Sequence, residues 1–134
     1  MKQGIQTNFP HETLREKGCY FFCLAEWAER ISGEEFTDDI IIDLFNRARE
    51  LELVNKNAFI VNAPQLLNLM IGLKFVSRIE ITRRIPWRST YVVYLEKPGF
   101  GHFLLFDNGK LWDPLDPARP GASDYKPASY REIS

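Results

Sequence analysis

Apolar positions repeat with a helical period in the first half of the chain and alternate in the second. Tyr20, Cys23, Leu24, Trp27, Ala28 and Ile31 recur at three- and four-residue spacing, which predicts a helix over residues 19–31. Ser32-Gly33 supplies the stop, since glycine is favoured just past a helix end. Thr37 reads as an N-cap with Asp38 and Asp39 in the first turn, where carboxylates suit the positive end of a helix. Ile40, Ile41, Leu44, Phe45, Ala48 and Leu51 then mark a second amphipathic helix. Asn62 begins a third, with Pro64 in its first turn and Gln65 three residues on in a capping-box arrangement; Gly72 ends it. Ahead of these lies a polar arm broken at Phe9-Pro10, with a short helical turn over 12–16. Residues 59–61 read as a very short strand.

Beyond Lys74 the texture becomes stranded. Residues 75–81 alternate in part, residues 91–96 are β-branched and aromatic, and residues 102–106 form a further strand. Asn108-Gly109 is the strongest short hairpin signal, so residues 110–113 should return antiparallel to 102–107. The segment from Pro114 carries four prolines and reads as mostly irregular. Helices first and a small antiparallel sheet afterwards is an α+β pattern.

A length of 134 residues fits one domain, and ten Phe, five Tyr and three Trp supply a packed core. The net charge of −1 and the lack of a basic block speak against a nucleic-acid partner. No apolar run approaches the roughly 20 residues of a membrane span, and the first residues lack a signal-peptide core. The expectation is a soluble cytoplasmic protein with no membrane partner. Trp87 is either an exposed binding aromatic or packed over the sheet edge. The charged run Glu26, Glu29, Arg30, Glu34 and Glu35 reads as a solvated helix face.

Cys19 stands where the first strong helix begins. Unpaired N–H groups and the positive dipole end at a helix start favour thiolate and lower a thiol's pKa. The same N–H groups form half of an oxyanion hole. The alternative for Cys19 is a small buried hydrophobe, which is how Cys23, one turn further on, is read. His102 opens an apolar strand after Gly101 and is either a base or structural. A two-residue Asn108-Gly109 turn pairs Asp107 with Lys110, Phe106 with Leu111 and Leu104 with Asp113. That register puts His102, Leu104 and Asp113 on one face and makes Asp113 the diagonal neighbour of His102. Asp107 and Asp116 fall on the other face. Asp113 is thus the hairpin acid able to orient His102, unless it is simply a turn residue before Pro114. Cys19, His102 and Asp113 together make a nucleophile, base and orienter. Gln6, or less readily Gln3, could add a side-chain oxyanion donor; a flexible polar arm is the slightly favoured alternative.

A metal site on Cys19, Cys23, His102 and Asp113 lacks a second cysteine pair or a His-x-x-His spacing, so no metal is expected. Gly99-Phe100-Gly101 lacks the third glycine of a dinucleotide loop, and no cofactor is expected.

These residues carry a family resemblance. Gly18-Cys19-Tyr20-Phe21-Phe22-Cys23-Leu24 resembles the nucleophile segment of papain-like thiol peptidases. Gly101-His102-Phe103-Leu104-Leu105-Phe106 followed by Leu111-Trp112-Asp113-Pro114 resembles the His and Asp segments of bacteriocin-processing and related cysteine peptidases. The resemblance covers the first helix and residues 91–114. It implies a papain-like fold spanning residues 1–134, with the site in the cleft between helices and sheet. By position it implies Cys19 as nucleophile, His102 as base and Asp113 as orienter, acting on a peptide, isopeptide or cell-wall peptide bond. Two other readings stay open: a catalytically silent binding or adaptor module on the same scaffold, such as a phage-associated one, and a plain structural domain in which the three residues never meet.

Overall fold

The computed structural model describes residues 1–72, 78–86 and 90–133. Trp87 and the first part of the strand expected at 75–81 lie outside the described residues. The described chain is α+β: α1 (Glu12–Lys17), α2 (Cys19–Ser32), α3 (Asp38–Glu50) and α4 (Ala63–Ile71) precede β1 (Ile79–Thr82), β2 (Thr90–Lys97), β3 (Phe100–Asp107), β4 (Lys110–Trp112) and β5 (Lys126–Ile133).

The helix boundaries follow local chemistry. Thr37 Oγ1 accepts the Ile40 N–H at 3.3 Å and Asn62 Oδ1 accepts the Gln65 N–H at 3.2 Å, so both predicted N-caps satisfy an orphan donor. Gly33 and Gly72 end α2 and α4 in the left-handed conformation. Residues 59–61 form only an isolated bridge, Ile60 with Val54, rather than a strand.

The sheet is antiparallel throughout, in the order β1-β5-β2-β3-β4. β5 corrects the expectation of an irregular tail, because it lies between β1 and β2. Its sequence hid it: Pro127 cannot donate to a ladder and the segment has no clean alternation. The structure resolves the conflict with a bulge. Tyr94 pairs with Ser129 and Leu95 with Pro127, leaving Ala128 as the extra residue.

α2 is the spine of the core. Phe21, Phe22, Cys23, Leu24 and Ala25 have no exposed surface. They pack with Phe45 of α3, Leu66 and Leu67 of α4, and Val92, Leu105, Trp112 and Ile133 of the sheet. Each such aromatic or branched side chain contributes about 1.5–3 kcal/mol by leaving water. Glu26 is also buried in this helix, held by Arg30 Nε at 2.6 Å, so that part of the charged run is an internal ion pair and not a solvated face. Among the described residues no helix is long and apolar enough to cross a membrane.

Candidate active site

Gly18 alone separates α1 from α2. A Cβ there would stand 2.5 Å from the Leu14 carbonyl oxygen, so only glycine lets the two helices meet this tightly. Cys19 is therefore the first residue of α2, half-buried, with no side-chain cap ahead of it. The ring of Tyr20 stacks on Phe103 with centroids 4.4 Å apart and planes within 8°, docking the first turn of α2 on β3.

β4 pairs with Leu105 to Asp107, so among the described residues the first half of β3 has no strand on that side. The backbone N–H of Phe103, the residue after His102, is among the groups that act on the Cys19 thiol. Burial pushes the Cys19 thiol up; the N–H groups of Phe103, Tyr20 and Cys19 itself pull it down, and the Asp113 carboxylate adds an upward push. Burial wins. The lowered pKa expected from a helix start is thus corrected: the amides are in place, but removal of water outweighs them. Cys23 is fully buried and its thiol is pushed well above the ordinary range, chiefly by loss of water, as suits a core residue.

The hairpin forms in the predicted register, Asp107 with Lys110 and Phe106 with Leu111. Asn108 and Gly109 both have positive φ, 50° and 82°, as the tight hairpin turn demands. His102, 2 % exposed, then places Nε2 2.7 Å from Asp113 Oδ1. The rest of the carboxylate is equally engaged. Oδ1 also accepts the Leu115 N–H at 2.9 Å, and Oδ2 accepts from Arg119 Nη1 at 2.9 Å. Burial alone would raise the Asp113 carboxyl, but the hydrogen bonds from His102 and Arg119 outweigh it and hold the group below its ordinary value. An ionised Asp113 accepts only, so the neutral imidazole carries its hydrogen on Nε2 and leaves Nδ1 as the free acceptor.

The N-terminal arm, favoured in the sequence as a flexible segment, is docked along Asp113-Pro114. Gly4 N–H donates to the Asp113 carbonyl at 3.0 Å and Gln6 N–H to the Pro114 carbonyl at 2.8 Å. Gln3 Oε1 accepts the Asp113 N–H at 3.1 Å, which uses Gln3 as an anchor of the acid. Gln6 is 2 % exposed; its Nε2 donates to the Arg15 carbonyl at 3.0 Å, and its Oε1 is buried with no hydrogen-bond partner among the described residues. An amide nitrogen carries two hydrogens, so one donor remains after the Arg15 contact.

Cys19 opens on a groove of about 860 Å³ between the 55–64 segment and the sheet face of Ile79, Ile81, Tyr94 and Phe103. Among the described residues no group of three or more His, Cys, Asp or Glu is arranged to hold a metal ion. Two residues escaped the sequence reading. Arg119 reaches Asp113 from a turn at Asp116-Pro117-Ala118-Arg119, whose Asp-Pro start was the available signal. Arg131 lines the groove from β5, the strand that went unrecognised.

Residues 1–133 match the family described as a protein of unknown function, DUF261, and the chain belongs to that family. No curated protein and no solved structure matches it.

Proposed function

We propose that this DUF261 protein is a papain-like cysteine hydrolase that cleaves an amide bond in a peptide, an isopeptide or a cell-wall stem peptide. The observation that carries this reading is the buried 2.7 Å bond from His102 Nε2 to Asp113, in a chain whose Cys19 is the first residue of α2. An α+β chain with a central helix packed on an antiparallel sheet, and its cysteine at that helix's first residue, is the arrangement expected of a papain-like fold.

In this mechanism the resting sulfur is a thiol. His102 Nδ1 takes its proton as sulfur adds to the carbonyl carbon. The oxyanion is stabilised by N–H groups at the α2 start, with the second hydrogen of Gln6 Nε2 as a further donor. The imidazolium returns the proton to the leaving nitrogen as the C–N bond breaks. Water, deprotonated by His102, then hydrolyses the thioester and frees the acid and the thiol. Asp113 holds the tautomer, and Arg119 holds Asp113. The reading carries with it a cytoplasmic location, a peptide-like substrate, and no cofactor, nucleic-acid or membrane partner.

The raised Cys19 thiol and the Gln6 amide bound to Arg15 favour a second reading, the same scaffold as a silent binding module. Incubating the full chain with a pool of N-acetylated peptide amides and following new termini by mass spectrometry separates the two. The hydrolase yields products that vanish in Cys19→Ala; products absent from the wild type, or persisting in Cys19→Ala, contradict it.

A further inference from the structure

The groove beside Cys19 holds a cation with no carboxylate to match it among the described lining residues. Arg131 packs its guanidinium against three rings, with the central carbon 5.2 Å from the Phe103 centroid, 5.3 Å from Tyr94 and 6.0 Å from Tyr20. Phe103 lines the groove together with Cys19, so Arg131 and the nucleophile candidate share one neighbour. One guanidinium nitrogen donates to Ser129 Oγ and another interaction goes to the Tyr20 hydroxyl, but Nε is buried without a hydrogen-bond partner among the described residues. Among the described residues no carboxylate lies within ion-pair distance of it, whereas Arg30 has two and Arg78 and Arg119 have one each. The described lining of the groove contains two cations, Arg131 and the exposed Lys17, and no Asp or Glu. The remaining wall is largely apolar, and its rim exposes Phe59, Val61 and Ile81.

Ring faces lessen the cost of an enclosed guanidinium, but they do not fill its planar fork of donors. A carboxylate does both, and bidentate pairing in a water-poor setting is the strong form of that contact. We infer that the groove binds a peptide whose residue beside the scissile bond carries a free carboxylate, gripped by Arg131 while neighbouring apolar side chains lie on Phe59, Val61 and Ile81. This deepens the hydrolase reading and rests on it for the word scissile; the binding itself does not need catalysis. The carboxylate comes either from a chain terminus or from an acidic side chain.

The test is equilibrium binding by calorimetry on the full chain carrying Cys19→Ala, so that nothing is consumed. Three pools of N-acetylated tripeptides are compared: apolar residues with a free C-terminal carboxylate, apolar-acidic sequences with a C-terminal amide, and the corresponding neutral amides. One acidic pool binds at least about tenfold more tightly than the neutral one, the first pool indicating a terminal and the second a side-chain carboxylate. Adding Arg131→Gln erases the preference, and Arg131→Lys retains part of it. Equal affinity across the pools, no binding to any, or a preference that survives Arg131→Gln in a protein with unchanged circular dichroism overturns the assignment. The carboxylate preference in the Arg131 background stands as a test even where Arg131→Gln fails to fold. Binding that obeys Arg131 without any cleavage by the wild type would sink the hydrolase reading and leave the groove assignment intact.

Discussion

The imidazole of His102 and the carboxylate of Asp113 are joined at 2.7 Å across the end of one hairpin, with the acid anchored a second time by Arg119 at 2.9 Å. Because the acid accepts from Nε2, the free ring nitrogen is Nδ1, and the ring has one productive tautomer. Asp113→Asn keeps the shape but removes the charge that enforces this tautomer. Peptide hydrolysis should fall by about 10²–10⁴-fold in kcat, with a much smaller change in KM. Steady-state kinetics on any turned-over peptide checks this; unchanged kcat would leave Asp113 a purely structural acid.

Acid stability gives a second test of the same carboxylate. Asp113 is held below its ordinary value in the folded chain, so its ionised form favours folding. That contribution is complete above the unfolded value of about 3.9 and drains as pH falls through the folded value. Arg119→Gln removes one of the hydrogen bonds responsible, raises the folded value and should move acid unfolding to higher pH. Thermal melts between pH 2 and pH 7 read the effect: the variant's deficit should be full above about 3.9 and should shrink towards a pH-independent offset as pH falls through the folded value.

Gly18→Ala should be costly at a position that looks permissive. The added methyl would meet the Leu14 carbonyl oxygen at 2.5 Å, and backbone on both sides has little room to yield. A loss of about 1–3 kcal/mol is expected in urea unfolding, as for other overpacked sites. A neutral result would mean that the start of α2 is not locked to α1.

Gln6 separates an anchor from a donor. Loss of its contact to the Arg15 carbonyl should cost about 1 kcal/mol of stability in Gln6→Ala. If its second hydrogen also serves the oxyanion, kcat falls by a further 10²–10³-fold or so, measured on protein that remains folded. A stability loss with full kcat assigns the residue to anchoring alone.

The parts of this protein that were legible in its sequence are those governed by near neighbours. The Thr37 and Asn62 caps, the glycine stops and the Asn108-Gly109 turn each act over a few residues, and the turn alone fixed the register that joins His102 to Asp113. Contacts set by distant segments were not legible. β5 is a strand because β1 and β2 accept it on both sides, and its Pro127 is tolerated only through the bulge at Ala128. The arm is ordered because Gly4 and Gln6 find carbonyls more than 100 residues away. The balance at Cys19 between helix-start amides and burial likewise depends on how deeply β3 and α2 close over the sulfur, which no local pattern records.

The most direct test of the account is the rate of Cys19 alkylation by iodoacetamide across pH, resolved from Cys23 by peptide mapping. Both thiols are raised by burial, Cys23 far more so, and only Cys19 opens on the groove. With His102 as the base, Cys19 should react at least an order of magnitude faster than Cys23 near neutral pH, and His102→Ala should reduce that rate and leave only the alkaline rise of an unassisted buried thiol. Equal slow alkylation of the two cysteines, or a Cys19 profile unchanged by His102→Ala, would contradict the shared proton on which the hydrolase reading depends.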